Sequence, residues 1–308
     1  MDMQLDLTGT TGYERKLGDY VGDLSGPTVI AVGGMHGNEP GGVLAIRHVL
    51  KTLHENRIPL RGRFFGLTGN LKALRLGARY IDRDLNRCWT DDLIQNKPDI
   101  AEYDEIMDIR EELEDILATS NGPVSFIDLH SFSGDGPPFV ISDDLDFFHD
   151  VFTGLPFPII TELTSKIEGT LNHFFQSRGH RAIAVEGGQH NDPHTVPNLT
   201  LFLWLFLLKR NFVAPEHAPD GIEEAWNNLM SLTGHLPSKV RVSYRHAIQD
   251  GDMFKMFPGF KSFSPIRKGE PLGTDRFGIV YAPSSGCILM PLYQGQGNDG
   301  FFLGSGLS

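Results

Sequence analysis

Four short runs of consecutive apolar residues punctuate the first 190 positions, and each stops at glycine or polar residues. Residues 28–32 (TVIAV) run into Gly33-Gly34, and 63–67 (RFFGL) into Thr68-Gly69-Asn70. Residues 124–129 (VSFIDL) end at His130-Ser131, and 181–185 (RAIAV) at Glu186-Gly187-Gly188. Uninterrupted apolar runs of this length, closed by turn formers, read as buried strands. Between them, apolar positions recur at helical spacing over 41–56, 100–118, roughly 165–178 and 197–210. Strands alternating with helices predict an α/β domain with a largely parallel sheet flanked by helices.

The pattern changes after about residue 230. Residues 236–308 carry many Gly and Pro, short β-prone runs (239–244, 278–282, 287–292) and no convincing helix. This predicts an α/β domain over 1–225 and a small β-rich C-terminal domain over 226–308. A chain of 308 residues is long enough to bury the core such a pair needs. The longest apolar stretch, 199–208 (LTLFLWLFLL), is about half of what spans a bilayer, so no membrane insertion is expected. Two cysteines, Cys88 and Cys287, cannot build a disulfide framework. The N-terminal MDMQLDLTGTTGYERK has acidic residues where a signal peptide needs basic and apolar ones. Together these features predict a soluble, cytoplasmic protein.

Charge sharpens the picture through its placement. The net charge is -12, and residues 91–115 hold eleven acids against two bases, a net of -9, leaving -3 for the rest. The acidic run reads as a solvated helix face. No Lys/Arg-rich run with interleaved aromatics appears, so nucleic acid is excluded as an expected partner. A homo-oligomer stays open.

Candidate chemistry gathers where the predicted strands end. The first strand leads into G-G-M-H-G-N-E, which places His36 and Glu39 three apart in a glycine-rich turn. A catalytic zinc site commonly takes three His/His/carboxylate ligands and leaves its fourth position open. His130 follows the third strand directly and Glu186 follows the fourth. In open α/β sheets ligands bind beyond the carboxyl ends of strands, so three strands converge on one edge. Asp128 falls on the same side of its strand as His130 and can hold that ring. Between these groups lies A-R-Y-I-D-R-D-L-N-R, residues 78–87, with Arg79, Arg83 and Arg87 inside an acidic protein. Arginine forks bind carboxylates bidentately, which predicts an anion-recognition element and a small anionic substrate. His190 and His194 are four apart, but Pro193 breaks the helix that would align them, so both read as loop residues at the mouth. Cys88 reads as a packed thiol.

The set G-G-M-H-G-N-E, R-Y-I-D-R-D-L-N-R, F-I-D-L-H-S and A-V-E-G-G resembles the aspartoacylase/succinylglutamate desuccinylase family, related to the zinc carboxypeptidases of the M14 type. The resemblance covers about residues 28–190 and implies a zinc-carboxypeptidase-like fold with a mostly parallel, mixed sheet and a smaller C-terminal domain. It implies one zinc ion per chain, held by His36, Glu39 and His130. By the same resemblance Glu186 is the proton-transferring carboxylate and Arg79 stabilises the oxyanion. Asn86 and Arg87 bind a substrate carboxylate, and Tyr293 stands for the family's C-terminal pocket tyrosine. The implied activity is amide hydrolysis of a small N-acyl amino acid or related carboxylate. The chain departs from the pattern at Gln176, where aspartoacylases carry a second carboxylate-binding arginine; Arg178 and Arg181 are the nearby candidates to replace it. A carboxypeptidase-type peptidase and a non-enzymatic metal- or ligand-binding relative remain open alternatives.

Overall fold

The computed structural model describes residues 12–307 apart from Leu24, so most of the N-terminal segment weighed above lies outside the described residues. The four apolar runs lie side by side as β2 (Thr28–Gly33), β3 (Arg63–Thr68), β4 (Val124–Phe132) and β7 (Arg181–Gln189). They follow β1 (Lys16–Val21), which pairs antiparallel with β3 at one edge. The β3-β2-β4-β7 core is parallel throughout. Every residue of β2, β3 and β4 is buried, as a strand covered on both faces requires.

The covering layers follow from the period of two along each strand. Val29 and Ala31 of β2 face one apolar cluster, while Ile30 and Val32 face the other. The first cluster is closed by helices α1 (Gly41–Glu55) and, later in the chain, α7 (Thr195–Lys209). The second is closed by α4 (Ala101–Ala118) and α6 (Leu171–Gln176). Two short helices, α2 (Leu71–Leu76) and α3 (Asp91–Asn96), precede α4, and α5 (His149–Phe152) precedes α6. The LTLFLWLFLL run lies within α7, buried from Leu199 to Leu207, so its apolar surface meets protein on nearly every side. No helix among the described residues is long and apolar enough to cross a membrane. The helical pattern expected over 165–178 is instead a 3-10 turn (Thr164–Lys166) followed by α6. Gly169 between them adopts a left-handed φ of +72°, which interrupts the helix.

The sheet does not stop at β7. Strands β5 (Phe139–Ile141) and β6 (Ile159–Thr161) carry it past β7, β5 antiparallel to β7 and β6 parallel to β5. Strand β8 (Lys239–Ala247) then pairs parallel with β6, after the helix α8 (Ile222–Thr233). The proposed division at 225/226 falls inside α8, and the sheet continues across it. The remaining elements are β9 (Lys255–Met256), β10 (Pro265–Ile266), β11 (Pro271–Asp275), β12 (Gly278–Tyr281), β13 (Gly286–Leu289) and β14 (Asp299–Gly306). Among the described residues the main sheet has 11 strands, ordered β1-β3-β2-β4-β7-β5-β6-β8-β14-β13-β10, and β12-β11-β9 form a second sheet of 3. The C-terminal part is β-rich, as its sequence pattern predicts.

Candidate metal centre and active site

The ends of β2, β4 and β7 bring the predicted chemistry together. In register, His130 of β4 lies opposite Glu186 of β7, and Gly33 of β2 lies opposite Leu129. The chain leaves β2 through Gly34, whose φ of +72° suits glycine. The turn then packs so tightly that a Cβ at Gly37 would sit 2.1 Å from the Ala73 carbonyl carbon and 2.4 Å from the Ala78 oxygen. Gly37 N also donates to Arg79 O at 3.0 Å, locking the His36–Glu39 turn to the arginine loop.

His36, Glu39 and His130 are all buried, and one candidate ligand atom from each lies within 4.8 Å of the others. The Nδ1 atoms of both rings turn toward Glu39, His36 at 2.8 Å from Oε1 and His130 at 3.2 Å from Oε2. Each Nε2 faces a different buried carboxylate: Asp84 Oδ1 at 3.1 Å from His36, and Asp128 Oδ2 at 2.8 Å from His130. A carboxylate behind each imidazole fixes the tautomer and raises the basicity of the nitrogen in front. His36 Nδ1 has no hydrogen-bond partner although it is buried and close to Glu39. Two imidazole nitrogens and a carboxylate oxygen converging in this way fit a divalent transition metal, with the chemistry of the donors matching such an ion.

Electrostatics tie the cluster together. Burial opposes charge on Glu39, but His36 and His130 hold its pKa well below the usual carboxylate range. Burial likewise opposes charge on Asp84, and His36, Arg79 and Arg87 hold it low. Burial lowers the affinity of His130 for a proton, yet Asp128 and Glu39 drive its pKa well above the ordinary value. Glu186 behaves in the opposite way. Its burial, reinforced by Glu39, pushes its pKa up to about 7 against the pull of His130, His36 and Arg79. Its Oε2 atom is buried without a hydrogen-bond partner.

One cavity is lined by His36, Glu39, His130, Glu186, Arg79, Asn86 and Arg87. Arg79 donates to Glu39 Oε1 at 3.0 Å and Asp84 Oδ2 at 3.1 Å, and Arg87 to Asp299 Oδ2 at 2.7 Å. Asn86 Oδ1 accepts from Leu171 N at 2.9 Å, which anchors the 3-10 turn Leu85–Arg87 on α6. Arg83 is exposed, whereas Arg79 and Arg87 of the same loop line the cavity.

Tyr293 is the member of the expected set that the structure does not bring to this cavity. Its hydroxyl donates to Phe257 O at 2.8 Å and accepts from Phe260 N at 3.0 Å, so it staples a neighbouring loop. The cavity is met instead by the adjacent residues Leu292 and Gln294. Arg178 and Arg181 also lie elsewhere, paired with Asp91 and Asp144, while Gln176 donates to Ala182 O. His190 sits at the cavity's edge, 2.8 Å from Ser131 Oγ and 3.1 Å from Gln294 Oε1, whereas His194 is exposed beside Asp192. Cys88 is buried, and burial pushes its thiol up to about 12, as a packed thiol requires.

The acidic run holds residues that a solvated face does not. Glu102 and Glu105 of α4 are buried. Glu102 accepts from the backbone N–H groups of Ile81, Asp82 and Arg83 at 2.7, 3.1 and 3.1 Å, gripping the loop that presents Arg79 and Asp84. Glu105 accepts from Leu71 N and Lys72 N at the start of α2. The C-terminal loop grips the same region: Gln296 accepts from Arg79 N at 3.1 Å and donates to Tyr80 O at 3.2 Å.

Residues 25–134 match the succinylglutamate desuccinylase/aspartoacylase catalytic domain. A Nostoc sp. protein named "Probable aspartoacylase" is 36% identical over 107 residues, 33% of this chain and 34% of that protein. A Xenopus laevis N-acyl-aromatic-L-amino acid amidohydrolase (carboxylate-forming) is 34% identical over 106 residues, 33% of each chain. The matched stretch therefore spans about a third of the length of these curated relatives. In three dimensions, a succinylglutamate desuccinylase/aspartoacylase from Rhodobacter sphaeroides superposes with a TM-score of 0.66 at 18% identity. That match covers 94% of this chain and 88% of the other, which shows a shared fold.

Proposed function

From the premise that residues 25–134 belong to the succinylglutamate desuccinylase/aspartoacylase family, we propose that the protein is a zinc-dependent amidohydrolase releasing the acyl group of a small N-acyl amino acid or related carboxylate. The observation that carries this reading is the juxtaposition of a buried His36–Glu39–His130 donor set with a buried Glu186 whose proton affinity suits proton transfer near neutral pH. Similarity to a probable aspartoacylase and to an N-acyl-aromatic-L-amino acid amidohydrolase supports the same chemistry.

When bound, zinc supplies Lewis acidity to the attacking water and to the scissile carbonyl. His36, Glu39 and His130 would hold the ion, with Asp84 and Asp128 fixing the two rings. Glu186 takes a proton from the attacking water and delivers it to the leaving amine, so the carboxylate ends the cycle as it began. Arg79 lies against Glu39 and faces the cavity, where it stabilises negative charge developing on the former carbonyl oxygen. Arg87 receives a substrate carboxylate, and Asn86 keeps its loop on α6. The carboxypeptidase-type alternative is disfavoured by the C-terminal residues Leu292, Gln294, Asn298 and Asp299, which wall the cavity and restrict an extended peptide.

The test is hydrolysis of N-acetyl and N-succinyl amino acids alongside short peptides, with zinc and after chelation. Release of free amine from the small amides, lost on chelation and restored by zinc, is the expected result. Cleavage of peptides in preference to every small amide, or hydrolysis that survives complete metal removal, overturns the proposal.

A further inference from the structure

Part of the cavity lining is an apolar wall. Ala184 precedes Glu186 by two positions on β7 and so shares its strand face, and Ile141 of β5 lies opposite Ala184. Leu163, Ile167, Met290 and Phe302 extend the same surface, and the six belong to one apolar cluster. Ile141, Ala184 and Phe302 come from β5, β7 and β14 of the main sheet, Leu163 and Ile167 flank the 3-10 turn Thr164–Lys166, and Met290 directly follows β13.

Outside the His36–Glu39–His130 centre, positive charge along this cavity is scarce. Of the lining residues only Arg79 and Arg87 are cationic side chains of the Arg/Lys type, and both are already paired. Arg79 is shared between Glu39 and Asp84. Arg87 pairs with Asp299, which also takes Arg245 Nε at 2.5 Å, and the buried Nε of Arg87 is left without a partner. Arg87, which lines the cavity, provides for one substrate carboxylate. A second carboxylate would meet the apolar wall and the uncharged side chains around it, such as Thr164 and Asn172, and would lose hydration with no second arginine fork to offset it, whereas an apolar group there gains by leaving water. Arg178 and Arg181 do not relieve this, since both lie outside the cavity, beside Asp91 and Asp144.

We infer, resting on the deacylase reading above, that the substrate is a monocarboxylate whose second recognition element is an uncharged aliphatic or aromatic group seated against Ile141, Leu163, Ile167, Ala184, Met290 and Phe302. Derivatives of acidic amino acids, or with dicarboxylic acyl groups, are selected against. The apolar group can come from the amino-acid side chain or from the acyl chain, and the arms of the experiment separate the two.

The first arm measures binding to the zinc-loaded protein by titration calorimetry, using 3-phenylpropionate and glutarate. The second measures kcat/KM for N-acetylphenylalanine and N-(phenylacetyl)glycine against N-acetylaspartate and N-succinylglycine. The expected results are binding of 3-phenylpropionate about tenfold or more tighter than glutarate, and a similar advantage for at least one apolar amide over both acidic ones. The better apolar amide identifies the source of the group. Ile167→Arg, which puts a cation on the wall, narrows the gap for the acidic compounds. Equal or tighter glutarate binding, binding of neither ligand, or faster turnover of an acidic amide overturns the inference. A binding preference with no hydrolysis of any amide supports it while refuting the deacylase reading; turnover of the acidic amides does the reverse.

Discussion

Replacing Glu186 by Gln removes a carboxylate that the fold holds against its preference, and the structure sets the size of the effect. The group is buried, one oxygen lacks a hydrogen bond, and its pKa stands at about 7 against an ordinary 4.5. At about 1.4 kcal/mol per pH unit, that rise corresponds to roughly 3 kcal/mol of folding free energy. Because the folded-state pKa is raised, the folded protein binds the proton more tightly than the unfolded chain. Below pH 4.5 both states are protonated and nothing is lost. Stability falls as pH climbs from 4.5 to about 7, and above 7 the full cost is present. Glu186→Gln abolishes that cost. In metal-free protein, denaturant unfolding at pH 5 and pH 8 should show the variant gaining on the parent chiefly at pH 8, by about 1–3 kcal/mol. The same variant loaded with zinc should lose about 100-fold or more in turnover, since an amide cannot accept the proton. A variant no more stable at pH 8, or one that keeps more than about a tenth of the parent's turnover, would refute the reasoning.

Three further substitutions follow from the geometry. Asp128→Asn removes the carboxylate 2.8 Å from His130 Nε2, and zinc affinity measured by competition with a chromogenic chelator should weaken about 10–100-fold with the fold intact. Glu102→Ala leaves three backbone N–H groups of residues 81–83 without their acceptor; unfolding should show a loss of about 2–4 kcal/mol, and turnover should fall as Arg79 loses its support, whereas unchanged stability would contradict the clamp. Tyr293→Phe deletes a hydroxyl bonded only to the 257–260 backbone, so kcat/KM should stay within about twofold while stability drops by about 1 kcal/mol.

The parts of this molecule that were legible in sequence are those specified locally. Runs such as TVIAV and RAIAV contain every residue needed to declare a strand buried on both faces, and His36, Glu39, His130 and Glu186 could be read because each follows such a run within a few residues. Parallel pairing in register then places those four positions at one edge. Asp128 was readable for the same reason, being two residues from His130 on one strand face. Residues defined by distant backbone were not. Nothing around Glu102 distinguishes it from the other ten acids of 91–115, and its burial depends on the N–H groups of a loop about twenty positions earlier. Asp84 carried only a charge in sequence, yet it supports both His36 and Arg79. The apolar wall is assembled from β5, β7, β14 and the segment around Thr164–Lys166, separated by up to 161 positions between Ile141 and Phe302, with no motif to announce it. Tyr293 lies outside the cavity lined by His36 and Glu186, its hydroxyl bonded to the 257–260 loop, a partner that spacing does not reveal.

The central claim is that His36, Glu39 and His130 hold one catalytic zinc ion. Titrating zinc into metal-free protein while following hydrolysis of an N-acyl amino acid tests it most directly. The account predicts no turnover without metal, a linear rise, and a break at one equivalent per chain. Turnover that is already complete in the metal-free protein, or that does not respond to zinc, would contradict it.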